Sequence, residues 1–205
     1  MERVAFSGHS LVYWLRKYVY GPNDKDPHFG FDWKFVEYFG VRGLTIRKTE
    51  LCLVERVKSF DPDWVILMLG DNDIGNKNMF LPGLATLIIA HAAMMRRHDS
   101  VPVIISLLLP RYVPVGSDPS ARPFDPSYDS RAFVVNKAIQ DELALGVHRN
   151  ITCWRHKFAV FKCEDKDRYD ANRHLFRDDG VHLNDEGHAR LYRSFKLLLR
   201  GLSAH

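Results

Sequence analysis

Cysteine is scarce in this chain: three residues, Cys52, Cys153 and Cys163, odd in number and widely spaced. That excludes a disulfide framework and fits reduced thiols in an intracellular compartment. Long apolar runs are missing as well. The longest, Trp64 to Leu69, falls far short of the about 20 residues that span a bilayer. The opening Met-Glu-Arg-Val leads into no apolar stretch of signal-peptide length, so neither a secretory route nor a transmembrane segment is expected. Neither sign of charge dominates: 29 Lys and Arg against 25 Asp and Glu leave a formal +4. The basic residues are scattered, which permits an acidic partner without demanding one. Repeats and low-complexity segments are also absent. What remains is globular: 205 residues, 46% hydrophobic and 26% charged, are enough for one full core and a single domain over residues 1–205.

Short apolar runs alternate with longer periodic stretches along the whole chain. Arg3–Phe6, Phe35–Phe39, Trp64–Leu69, Val101–Leu109 and Ile151–Trp154 are predicted strands. Leu11 to about Tyr18, Leu44 to Phe60, Leu84 to Arg97, Ser130 to about Leu145 and Asn184 to Leu199 are predicted helices. Alternation of this kind implies an α/β fold, a mostly parallel five-stranded sheet covered by helices on both faces. Sites in such folds lie beyond the carboxyl ends of the strands, where Ser10, Gly43 and Asn72 stand. The connection from Arg111 to Asp129 carries four prolines and no periodicity, so it reads as a surface excursion or a lid.

Acyl transfer by a serine needs a base, an orienter for the base and oxyanion donors. Ser10 follows Gly8 at a strand-to-helix turn, a place that suits an exposed nucleophile but is more often filled by a helix N-cap. Asp179-Gly180-Val181-His182 lets a carboxylate turn back onto the imidazole three residues on, and it also reads as a plain Asp-Gly turn.

Taken together, these pieces resemble the SGNH, or GDSL-type, hydrolases over nearly the whole chain. Phe6-Ser7-Gly8-His9-Ser10-Leu11 resembles the first block, Gly-Asp-Ser-Leu, and Gly43 the isolated glycine of the second. Gly70-Asp71-Asn72-Asp73 matches Gly-x-Asn-Asp, and Asp179-Gly180-Val181-His182 matches Asp-x-x-His. The resemblance implies a flavodoxin-like three-layer α/β/α sandwich. It also implies Ser10 as nucleophile, His182 as general base and Asp179 as its orienter. Ser10, Gly43 and Asn72 would form the oxyanion hole, Asp73 would be structural, and no cofactor would be needed. The implied substrate is a small-molecule ester. One position departs: His9 stands where the family mostly has Asp, as in some retroelement-associated members, and it either keeps the turn or accompanies lost activity.

Three other readings compete. Asp71 and Asp73, with Asp179, His182 and His188, could form a metal site. Cys153, His156, Cys163 and His174 could hold zinc, at spacings that fit none of the common closed sites. The third is a catalytically degenerate module of the same fold that binds nucleic acid or a protein partner. It rests on His148 to His174, where Arg149, Arg155, Lys157, Lys162, Lys166 and Arg168 interleave with Trp154, Phe158, Phe161 and Tyr169. Glu164, Asp165, Asp167 and Asp170 nearly cancel that charge, which favours core aromatics beneath a solvated charged face.

Overall fold

The computed structural model describes residues 1–23, 25–48, 51–76, 78–112, 128–156 and 170–202. Its first strand, β1 (Glu2–Gly8), pairs in parallel with β2 (Lys34–Gly40) on one side and β3 (Trp64–Met68) on the other. Beyond β3 lie β4 (Val103–Ser106) and β5 (Ile151–Trp154), also parallel, giving the order β2-β1-β3-β4-β5.

Side-chain alternation along these strands sorts the core into two halves. Val4 and Phe6 of β1, with Ile66, Met68 and Ile104, face α1 (Ser10–Val19) and the last helix, α5 (Asp185–Gly201). Their neighbours Ala5, Val65, Leu67, Val103 and Ile105 face α2 (Leu51–Phe60), α3 (Leu81–Met94) and α4 (Tyr128–Ala144). Strands buried on both faces need continuous apolar sequence, and Val65 to Leu69 is fully that. The result is a three-layer α/β/α sandwich with the flavodoxin-like strand order. In that order the succession of strands changes side between β1 and β3, and the crevice at their carboxyl ends is where such sheets bind ligands.

Two expected elements are shorter than periodicity suggests. The helix expected over Leu44–Phe60 is split into a 3-10 turn, Ile46–Lys48, and α2. The backbone N–H of Ile46 goes to the Asp73 carboxylate at 3.1 and 3.2 Å, so this stretch is tied to the loop after β3. The strand expected over Val101–Leu109 keeps only Val103–Ser106 in the ladder. Past it, Leu108 exchanges both backbone hydrogen bonds with the Asn136 side chain, which ends the pairing and turns the chain toward the site. Helix α3 starts earlier than expected, because Pro82 fits a first turn where its missing N–H costs nothing. Most of the proline-bearing connection after Arg111 lies outside the described residues. Among the described residues, no helix is long and apolar enough to cross a membrane.

Candidate active site

The turn after β1 is held by His9, which is buried with 1% of its surface exposed. His9 is the N-cap of α1: its ring Nδ1 accepts the N–H of Leu11 at 3.3 Å. An accepting Nδ1 carries no proton, so Nε2–H points the other way and donates to Asp71 Oδ2 at 2.6 Å. The departure at position 9 therefore keeps the turn by capping the helix itself. It also relieves Ser10 of that duty: Ser10 is the first residue of α1, and no other group claims its hydroxyl or its N–H among the described residues. A first-turn N–H left open at the positive end of a helix is a ready donor to an anion.

Asp71 is buried with its partners. Tyr128 donates its hydroxyl to Oδ1 at 3.1 Å. Burial alone would raise the Asp71 carboxyl, but the His9 ring, Arg111 and the Tyr128 hydroxyl outweigh it and hold the group below its ordinary value. Asp71 is thus an anion that fixes the two turns on which Ser10 and Asn72 stand.

Asn72 Nδ2 donates to the Leu44 carbonyl at 2.9 Å, and its Oδ1 accepts from Arg111 Nη2 at 3.0 Å. These partners fix which end of the amide is nitrogen and leave one N–H unclaimed among the described residues. Leu44 follows Gly43, so the same bond joins the two loops that bear the expected donors. Gly43 takes φ +68°, a left-handed conformation that favours glycine. Its N–H is also without a partner among the described residues.

On the far side of the cleft, Asp179 Oδ1 accepts the backbone N–H groups of Val181 and His182, both at 2.8 Å. Its Oδ2 meets His182 Nδ1 at 2.7 Å. Partial burial works to raise Asp179, but those hydrogen bonds and the imidazole beside it hold it below its usual range. It is therefore a carboxylate, Nδ1 carries the proton, and Nε2 presents a lone pair. The loop is placed by Gly180, whose carbonyl accepts from Tyr112 N–H at 2.8 Å, and by a bridge between Phe176 and Leu183. Asn184 then caps α5.

Ser10, Asp71, Arg111, Phe176 and Val181 line one narrow cleft, so the structure brings the Ser10 turn and the Asp179–His182 turn together. Ser10 Oγ and His182 Nε2 make no hydrogen bond to each other, a contact that in empty sites is often longer than in the reacting complex. A larger cavity, of about 460 Å³, opens at the opposite ends of β4 and β5 beside Arg96, His148 and Asn150, away from all of these groups.

Several residues of the competing assignments are engaged by other partners. Asp71 and Asp73 are engaged by His9, Tyr128 and Ile46 as described, and among the described residues no three His, Cys, Asp or Glu side chains gather as a metal set. His156 is sandwiched between Ser106 Oγ at 3.0 Å and Ser194 Oγ at 2.8 Å, and burial lowers it to about 4. This serine–histidine contact is a buried, neutral cross-link and does not line the cleft. His174 pairs with Glu186 at 3.4 Å. Cys163 and most of the named basic and aromatic residues of that segment lie outside the described residues.

Sequence reasoning missed four groups: the Asp71 and Tyr128 partners of this network, Arg111, and Trp14. Trp14 stands one helical turn after Ser10, with its ring centroid 6.0 Å from His182 and the Arg177 guanidinium 4.5 Å above it. Its i+4 spacing from Ser10 was the available signal.

Comparison with known proteins agrees with the fold. Three solved structures illustrate this. A carbohydrate acetylesterase family member from Sinorhizobium meliloti superposes with a TM-score of 0.71 at 18% identity, covering 98% of each chain. A lipase/acylhydrolase from Enterococcus faecalis gives 0.66 at 18%, covering 98% of this chain and 96% of that one. A member of the lipolytic protein G-D-S-L family from Veillonella parvula gives 0.64 at 14%, covering 98% and 100%. No curated protein sequence matches the chain. The model of the GDSL-like Lipase/Acylhydrolase family matches residues 25–190, from beyond α1 into the first half of α5, and so leaves out the Ser10 turn. By that match, over most of its length, the chain belongs to the GDSL-like lipase/acylhydrolase family.

Proposed function

We propose that this chain is a serine-dependent ester hydrolase acting on a small acyl ester. The observation that carries the reading is the Asp179–His182 pair, at 2.7 Å, with Nε2 unengaged among the described residues and its loop sharing a cleft with Ser10. In the reaction, Ser10 Oγ attacks the acyl carbon and His182 Nε2 takes the hydroxyl proton. The carbonyl oxygen becomes an oxyanion that accepts from the N–H groups of Ser10, Gly43 and Asn72. His182 then returns the proton to the departing alkoxide, and the alcohol leaves. Water, deprotonated by the same nitrogen, attacks the acyl-serine and restores Ser10. Asp179 stabilises the imidazolium formed in each half. A preorganised donor aimed at the oxyanion is worth about 10²–10³ in turnover. The scheme draws on no cofactor. The acetylesterase among the structural relatives supports a short acyl group.

The test is chemical labelling. A fluorophosphonate should modify the folded protein at Ser10, in buffer containing a chelator, and Ser10→Ala should abolish both labelling and hydrolysis of nitrophenyl acetate while leaving the circular dichroism spectrum intact. Modification at another serine, or none on folded protein, refutes the assignment.

A further inference from the structure

We propose that Arg111 is a positioning residue for the oxyanion donor Asn72. The inference rests on the esterase reading above and adds to it a group that no family motif contains. Asn72 has an amide with one acceptor and two donor protons. Arg111 Nη2 occupies the acceptor at 3.0 Å and the Leu44 carbonyl occupies one proton at 2.9 Å. Only one direction is then left for the second proton. Without the guanidinium, the amide is held only by the Leu44 carbonyl and can swing about its last torsion, carrying the second proton off the line to the developing oxyanion. A cation on the amide oxygen also draws electron density from the nitrogen, so the remaining N–H becomes a stronger donor.

Arg111 is itself held in place. Its guanidinium carbon lies 4.7 Å from the centroid of the Tyr128 ring, and its backbone N–H donates to Asp129 Oδ1 at 3.1 Å. Tyr128 in turn donates to Asp71 at 3.1 Å, and Asp71 precedes Asn72 in the chain. The positive charge of Arg111 is thus balanced by the buried Asp71 anion, within a closed ring of side chains that begins and ends on the loop after β3. Alternative roles for this arginine predict different kinetics. A substrate-binding cation would change the Michaelis constant. A merely structural one would lower stability and act independently of Asn72.

The experiment is a double-mutant cycle on the full chain with nitrophenyl acetate. Arg111→Met keeps an unbranched side chain and loses the guanidinium fork. It should lower kcat about 10- to 50-fold with KM within about twofold. Asn72→Ala should lower kcat by about 10²–10³, and adding Arg111→Met to it should cost no more than about a further twofold. Arg111→Lys, which retains the charge, should recover at least about a threefold part of the loss, and it serves as the test if the Met variant does not fold. Independent, multiplicative losses in the double variant overturn the proposal, as does a raised KM at unchanged kcat. A second readout needs no activity. The Asn72 side-chain amide pair in a nitrogen–proton correlation spectrum, assigned by its loss in Asn72→Ala, should move toward free-amide positions in Arg111→Met and exchange faster with solvent. An unmoved pair overturns the proposal even in an inactive protein, whereas absent hydrolysis with a moved pair counts against the esterase reading alone.

Discussion

At the scale of single residues, the informative position is His9. Its ring replaces a carboxylate that the family block usually carries, and it works because Asp71 faces it at 2.6 Å. Returning the usual residue is therefore expected to harm this protein. His9→Asp would set two buried carboxylates against each other, and breaking a buried pair in this way costs about 3–5 kcal/mol. One of the two would hold its proton with a raised affinity. A group with a raised folded pKa contributes stability below that pKa, so the gap to wild type should narrow as pH falls from 7 to 5. Adding Asp71→Asn should restore most of the loss at pH 7. Urea melts of the single and double variants at the two pH values check both points, and a single variant as stable as wild type would show that the pair does not hold the turn. The His9–Asp71 pairing was invisible in the sequence because 62 residues separate its members. The Asp179–His182 pairing was legible for the opposite reason, since three residues with a glycine among them can only close as a turn.

Among the elements, strands and helices were readable wherever one period ran unbroken. Trp64 to Leu69 is continuous apolar sequence, and it forms the strand at the middle of the sheet. Periodicity failed where a distant side chain competes for the backbone, as Asp73 does at Ile46 and Asn136 does at Leu108. Such bonds are tertiary, and no local window contains them. The Asp179–His182 turn, whose Val181 lines the cleft, shows the same dependence on a distant partner. Gly180 takes φ +67°, and a methyl group there would fall 1.9 Å from the Tyr112 carbonyl oxygen. Gly180→Ala must therefore displace either the Asp179–His182 turn or the segment at Tyr112. The expected outcome is a loss of about 1–3 kcal/mol of stability, together with slower fluorophosphonate labelling of the folded fraction. The melting temperature and the labelling rate measure the two effects, and a variant unchanged in both would show that this close approach is relaxed in solution.

For the whole molecule, stability should be governed on the acid side by two buried histidines. Burial lowers both His156 and His188 to about 4, the latter with Arg177 and His182 adding repulsion. Above pH 6.5 both are neutral in folded and unfolded chains alike, and their contribution to stability is constant. Between 6.5 and about 4 the unfolded chain takes up protons that the folded chain refuses, so stability falls across that window. Each histidine accounts for roughly 3 kcal/mol at the bottom of it, a large share of the about 5–15 kcal/mol that holds a domain together. Only below this range do the lowered carboxyls of Asp71 and Asp179 begin to add their own loss. The two rings differ in what surrounds them. His156 is hydrogen-bonded at both nitrogens, whereas His188, stacked on Tyr18 at 5.5 Å, has neither nitrogen paired among the described residues. An unpaired buried polar ring is a cost that an apolar ring of similar shape removes. His188→Phe should keep the stacking, raise stability at pH 7 by about 1–3 kcal/mol and reduce proton uptake on unfolding at pH 5 by nearly one. Urea unfolding at several pH values from 7 to 4.5 gives both numbers. If the variant and the wild type lose stability in parallel as the pH falls, His188 is not one of the groups that resist protonation, and the acid sensitivity belongs to His156 alone.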